Sequence, residues 1–105
     1  MPPTNEAGLV QLITRAIRRE YPEAWVFKVN GGPYQMSGVP DLLVGVLGLL
    51  VGLEVKHRKP GESVEHALSR VTPRQWQQIK EIQRSGGYAA VVMDVEGALA
   101  GPLVS

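Results

Sequence analysis

Across residues 4–19 the apolar side chains Leu9, Val10, Ile13, Ala16 and Ile17 recur at three- and four-residue intervals, while Arg15, Arg18 and Arg19 fall on the other side. That period predicts an amphipathic helix. Carrying its apolar stripe back by one turn reaches Glu6, a carboxylate in line with the face expected to be buried. A glutamate in the first turn also complements the helix dipole while staying in water, and the pattern leaves both readings open. Residues 24–29 (AWVFKV) alternate and are rich in β-formers, which predicts a first strand with Val26 and Lys28 on one face and Trp25, Phe27 and Val29 on the other. A glycine- and proline-rich loop follows over residues 30–40 (NGGPYQMSGVP). Its glycines fit neither GxxxxGK[ST] nor GxGxxG, so no phosphate-binding loop is indicated.

Residues 38–56, GVPDLLVGVLGLLVGLEVK, form a nearly unbroken apolar run with Asp41 near one end and Glu54 and Lys56 at the other. Segments 41–46 and 49–56 read as strands of a hairpin whose turn is Leu47–Gly48, with glycine where positive φ is needed. In that register Asp41 falls opposite Glu54, their Cβ atoms about 5 Å apart, and Lys56 shares the face because side chains alternate. A bulge at the turn would slip the register and part the carboxylates. Two opposed carboxylates at the rim of an apolar sheet repel and lose hydration, which is unfavourable without a positive charge between them. Oxygen ligands without sulfur or histidine suit a hard cation such as Mg²⁺ or Mn²⁺. An ion pair of Lys56 with one carboxylate would account for two of the three charges, not the third.

Beyond the hairpin, residues 57–71 lack periodicity and contain Pro60 and Gly61, so they read as a loop with at most a short helical piece. His57, Arg58 and Lys59 leave the strand together, placed either to touch phosphates or to remain a solvated charge run. His57 and His66 lack a metal-ligand spacing. Thr72-Pro73-Arg74-Gln75 is a capping box, with proline at the first helical position. It opens a helix with Trp76, Ile79 and Ile82 or Gln83 on one side, ended by Gly86–Gly87. Residues 88–95 (YAAVVMDV) predict a last strand, apolar enough to lie inside the sheet. The tail from 96 to 105 is undecided.

Bulk properties add limits. At 105 residues the chain suits one domain with a real core. It has no cysteine, which excludes disulfides and thiolate metal sites. The start of the chain lacks a signal-peptide pattern, and the run from 42 to 53 is too short to span a bilayer as a helix, so a soluble, cytoplasmic protein is expected. A net charge of +1 and a pI near 8.1 fall short of the strongly basic balance of a nucleic-acid coat.

Pro40-Asp41 followed by Glu54-Val55-Lys56 resembles the PD-(D/E)xK nuclease signature, and the segments GVPDLL, GLEVK, TPRQ and GGYAAVV together resemble its VRR-NUC branch. The resemblance runs from the first helix to about residue 95. It implies an α/β fold with a restriction-endonuclease-like core: a helix before a mixed sheet of about four strands, and a second helix between the last strands. It further implies a metal site of Asp41, Glu54 and the Val55 carbonyl, Lys56 as the catalytic lysine, Glu6 as the acidic residue of the first helix, and Gln75 facing the site as well as capping.

The expectation is a Mg²⁺- or Mn²⁺-dependent endonuclease acting on DNA, with Lys28, His57, Arg58, Lys59 and Arg74 as nucleic-acid contacts. A homodimer cutting four-way junctions follows from the resemblance alone. Two alternatives stay open: a nuclease of flaps or linear duplex, and a non-catalytic DNA- or protein-binding module on the same fold.

Overall fold

A computed structural model describes residues 2–32 and 36–100. The chain runs through α1 (Glu6–Glu20), β1 (Trp25–Lys28), β2 (Leu42–Val46), β3 (Leu49–Val55), α2 (Val64–Leu68), α3 (Pro73–Arg84), β4 (Tyr88–Val92) and α4 (Val95–Leu99). The four strands form one sheet in the order β1-β2-β3-β4. The β1–β2 and β2–β3 pairs are antiparallel and β3–β4 is parallel, with α2 and α3 in the crossover. This is the mixed four-stranded α/β sheet expected from the sequence.

The sequence dictates where α1 starts. Asn5 caps it, its side-chain oxygen accepting from the Gly8 amide over 2.8 Å, and so satisfies one of the donors a helix start leaves unpaired. The helix lays Leu9, Val10, Ile13 and Ile17 on one face of the sheet, against Leu42, Val44, Val46, Val51, Leu53, Val55, Val92 and Ala98. Each such side chain fully buried stabilises the fold by roughly 1.5–3 kcal/mol before entropy is counted. The opposite face is covered over β3 and β4 by α3. There Ile79 is buried, and a Cβ on Gly52 would lie 2.8 Å from Ile82 Cδ1 and 3.1 Å from Pro40 Cγ. The absence of a side chain at Gly52 is what lets Pro40 and α3 close onto the sheet. On β1 the same face is less covered: Trp25 and Phe27 are exposed and stack with ring centroids 5.7 Å apart.

The hairpin turn is as expected. Leu42 pairs with Leu53 and Val46 with Leu49, which leaves Leu47 (φ 52°) and Gly48 (φ 78°) as the two turn residues, the positive-φ pair of a type I′ turn.

Two expectations need correction. The last strand stops at Val92 rather than 95, because the Asp94 side chain accepts from the Gly97 amide over 2.6 Å and caps α4. That helix also occupies part of the tail left undecided; residues 101–105 of the tail, like 33–35 of the loop after β1, lie outside the described residues. Second, β4 is an edge strand, not an interior one. Its apolar character comes from cover on both faces, with Ala89 buried on the α3 side and Val92 in the α1 core. Among the described residues no helix is long and apolar enough to cross a membrane.

Candidate active site

The hairpin register, continued one step beyond Leu42–Leu53, sets Asp41 opposite Glu54. The backbone shows which kind of pair this is. Asp41 turns its carbonyl to β1, accepting from the Val29 amide over 2.8 Å, and the Lys56 amide turns to β4, donating to the Val92 carbonyl over 3.0 Å. Asp41 and Glu54 therefore form a pair without mutual backbone hydrogen bonds, the type in which side chains stand closer, with Cα atoms about 4.5 Å apart. Both side chains lie on the α3 face, because Leu42 and Leu53 point into the α1 core and side chains alternate.

Each group is held by a local cause. Pro40 is fully buried and its ring fixes φ just before Asp41. Asp41 Oδ2 accepts from the Val55 amide over 2.8 Å. In an extended strand the N–H and C=O of one residue point to the same side, so the Val55 carbonyl also turns toward Asp41. Glu54 is only 1 % exposed. Its Oε2 accepts from Gln75 Nε2 over 3.0 Å and lies 3.5 Å from Lys56 Nζ, while its Oε1 has no hydrogen-bond partner. Lys56 is also buried.

Gln75 serves two groups at once. Its Oε1 accepts from the Thr72 backbone N–H over 2.9 Å while the Gln75 backbone N–H donates to Thr72 Oγ1 over 3.2 Å, which completes the capping box. The remaining Nε2 is thereby aimed at Glu54. The loop reaches this helix start through Gly38: with φ at 83°, a Cβ there would sit 2.5 Å from the Arg74 carbonyl oxygen. Only glycine permits that approach.

Burial raises the Glu54 carboxyl from its ordinary value to about 8. The neighbouring Asp41 pushes the same way, and Lys56 opposes without cancelling them. A carboxyl at that value holds a proton at neutral pH unless a cation replaces it. Among the described residues no three His, Cys, Asp or Glu side chains gather as a metal cluster. The donor set is two carboxylates and a main-chain carbonyl, with one orphaned buried oxygen, and it fits a hard divalent cation that keeps other ligands of its own.

The other sequence candidates are distributed around this centre. Arg74 is exposed beside Gln75 at the start of α3, and Arg58 and Lys59 are exposed beyond Lys56. His57 Nε2 lies 3.1 Å from the Pro3 carbonyl, at a cleft of about 670 Å³ lined by Pro2–Thr4 and residues 57–63. Lys28 stands elsewhere. It pairs with Leu42 and so belongs to the α1 face, on the other side of the sheet from the carboxylates.

Glu6 joins neither carboxylate by a hydrogen bond or ion pair; its Oε1 pairs with Arg70 Nη1 over 3.1 Å. Arg70 Nη2 also donates to the His57 carbonyl over 2.8 Å, and to Glu62 Oε1 over 3.0 Å. Arg70 thus ties the start of α1 to the backbone immediately after Lys56. Sequence reasoning missed both Arg70 and Glu62, although Glu62, His66 and Arg70 recur every fourth residue, a spacing that marks one side of a helical turn.

No protein-family model matches the sequence, and no curated protein matches it. The solved structures similar to it include two VRR_NUC domains. One, described as a VRR_NUC domain protein, aligns over 95 % of this chain and 86 % of its own, with a TM-score of 0.66 and 15 % identity. Another, described as a VRR_NUC domain, aligns over 84 % of this chain and 87 % of its own, with a TM-score of 0.56 and 20 % identity. Over nearly its whole length, this chain has the VRR-NUC fold that its motifs resemble.

Proposed function

We propose that this domain is a metal-dependent, structure-selective endonuclease that hydrolyses DNA phosphodiester bonds, acting on four-way junctions as a homodimer. One observation carries the nuclease reading: two opposed carboxylates beside a buried lysine, with the buried Glu54 leaving its Oε1 without a partner. A binding module gains nothing from that arrangement and bears its desolvation cost. The fold shared with VRR_NUC domain structures supports the same reading.

Asp41, Glu54 and the Val55 carbonyl would hold Mg²⁺ or Mn²⁺, which when bound supplies an acidified water and neutralises charge building on the phosphate. The chain's own groups do the rest. Gln75 fixes the Glu54 carboxylate through Oε2, leaving Oε1 free to ligate. The Val55 amide fixes Asp41. Lys56, beside Glu54, orients the nucleophile or offsets negative charge at the reacting phosphate. Glu6 completes the pocket through Arg70, and Arg58, Lys59, His57 and Arg74 take neighbouring phosphates.

The junction preference rests on the resemblance. A homodimer supplies two sites for two strands of one branched substrate, and the exposed Trp25 and Phe27 on edge strand β1 leave a surface that a second copy would cover. The test incubates purified protein with labelled four-way junction, flap, single-stranded and linear duplex DNA in Mg²⁺, Mn²⁺ or EDTA, beside Asp41→Ala and Lys56→Ala. Paired junction cuts that need metal and vanish in both variants are the expected result. Cleavage of flap or duplex alone would remove the junction preference, and DNA binding without any cleavage would overturn the nuclease reading.

A further inference from the structure

On the α1 side of the sheet, a groove of about 270 Å³ lies between α1 and β1, lined by Val10, Gln11, Thr14, Arg15, Arg18, Val26 and Lys28. Its charge is one-sided, with three cationic side chains and no carboxylate in the lining. None of the three is spent elsewhere: the ion pairs of the described residues involve Arg19, Lys56, His66, Arg70 and Arg84, not Arg15, Arg18 or Lys28. All three are exposed.

The geometry has a simple cause. Gln11, Thr14 or Arg15, and Arg18 recur at helical spacing along one flank of α1, the flank that overhangs the short edge strand β1. Alternation along β1 turns Val26 and Lys28 to that same side. From Gln11 to Arg18 the helix rises about 10 Å, and a DNA strand presents one phosphate per roughly 3.4 Å of axis. Because the strand winds around that axis, successive phosphates lie farther apart than this along the backbone, so the groove meets neighbouring phosphates of one strand rather than a longer run, with Gln11 as a further hydrogen-bond donor in the lining.

We infer that the groove between α1 and β1 binds the sugar-phosphate backbone of the DNA substrate at a place remote from the scissile phosphate, through Arg15, Arg18 and Lys28. The inference rests on the proposed nuclease reading for the identity of the polyanion. Because Lys28 and the carboxylates stand on opposite faces of the sheet, and a second copy would cover the β1 surface between them, the groove holds an arm other than the one being cut. That gives a domain of small net charge a hold on substrates longer or more branched than the carboxylate site reaches, and none on short ones.

The test compares the full chain with the triple variant Arg15→Ala, Arg18→Ala, Lys28→Ala, and with a control of equal charge reduction elsewhere: Arg19→Ala, Lys80→Ala, Arg84→Ala. Binding of labelled duplex and four-way junction is followed by fluorescence anisotropy over a range of salt in EDTA. Cleavage with Mn²⁺ is followed on the same substrates and on an oligonucleotide just long enough to cover the carboxylates. The expected result is affinity for the long substrates reduced by about ten-fold or more, with the log K against log salt slope shallower by about 0.9 for each phosphate the variant no longer neutralises. KM should rise on long substrates with kcat unchanged, cleavage of the short one should be unaffected, and the control should bind like the parent. Unchanged affinity and slope in the groove variant, with the parent cutting DNA, would overturn this inference and leave the nuclease reading standing. An equal drop in binding in both triple variants would also overturn it, since net charge and not the groove would be responsible. If the parent binds DNA through the groove but cuts nothing, the groove stands and the nuclease reading falls. A parent that binds no DNA removes both.

Discussion

Gln75 Nε2 donates to Glu54 Oε2 over 3.0 Å while Gln75 Oε1 is held by the Thr72 amide. The start of α3 and the floor of the site are thereby set by one side-chain amide. Gln75→Ala removes half of the capping box and the Glu54 hydrogen bond together, and should lower stability by about 1–2 kcal/mol. The larger effect should be on metal affinity, weakened roughly 10- to 100-fold because a ligand's orienting partner is gone. Urea unfolding without metal and Mn²⁺ titration separate the two. A variant that is destabilised yet binds Mn²⁺ as tightly as the parent would show that Gln75 is only a cap.

Glu54 gives stability an unusual pH dependence. It ionises near 4.5 in the unfolded chain and at about 8 in the fold, so between those values the folded state binds more protons than the unfolded one. Its stabilising contribution is therefore complete below pH 4.5 and is lost as pH rises through 8. In EDTA the melting temperature should show that loss. Glu54→Gln, of similar shape but neutral, should abolish the loss and exceed the parent in stability above pH 8, while eliminating cleavage. Added Mn²⁺ should raise the parent's melting temperature more at high pH, where no proton has to be displaced, and should leave Glu54→Gln unmoved. Equal metal responses in the two proteins would mean that Glu54 is not a ligand.

Leu47 sits at φ 52° and is 82 % exposed, a poor choice for a turn that favours asparagine or glycine. Leu47→Asn should stabilise the domain by about 1 kcal/mol without altering cleavage, because the register and not the turn side chain sets Asp41 against Glu54. Chemical denaturation measures the gain. A loss of activity would show that the Leu47 side chain serves a contact outside the domain.

The hairpin is legible because two rules agree, turn chemistry at Leu47–Gly48 and alternation along both strands, and together they put Asp41, Glu54 and Lys56 on one face. The capping box exposes the start of α3 for the same reason: it is a local hydrogen-bond pattern written in contiguous residues. What escapes is non-local. Nothing contiguous with Glu6 announces Arg70, 64 positions later, so its place in line with the buried stripe is visible and its partner is not. The end of the last strand does have a local signal, since Asp94 followed by Glu96 is a helix-start pattern, but it is set directly after apolar residues that favour a strand. Lys28 shows a third limit. Alternation gives its face correctly, but which face the carboxylates use relative to it depends on the pairing of β1 with β2.

Arg70 carries the last prediction. Its guanidinium reaches Glu6, Glu62 and the His57 carbonyl, and a lysine cannot reproduce that fork. Glu62 is lowered from 4.5 to about 2, first by the Lys59 amide, then by His66 and by Arg70. A depressed carboxylate stabilises above its unfolded value and loses that contribution as pH falls through the folded one, so the parent should lose stability between about pH 4.5 and 2. Arg70→Ala should leave this acid-side slope shallower but not absent, because the Lys59 amide still holds Glu62. Arg70→Lys should resemble it, since one ammonium cannot serve three acceptors. Cleavage should fall by about 10-fold or more in both, as the backbone after Lys56 and the Glu6 side chain lose their common anchor. Acid unfolding followed by circular dichroism, with kcat on saturating DNA, checks both halves. Full activity in Arg70→Lys would assign Arg70 a role of charge alone and detach Glu6 from the site.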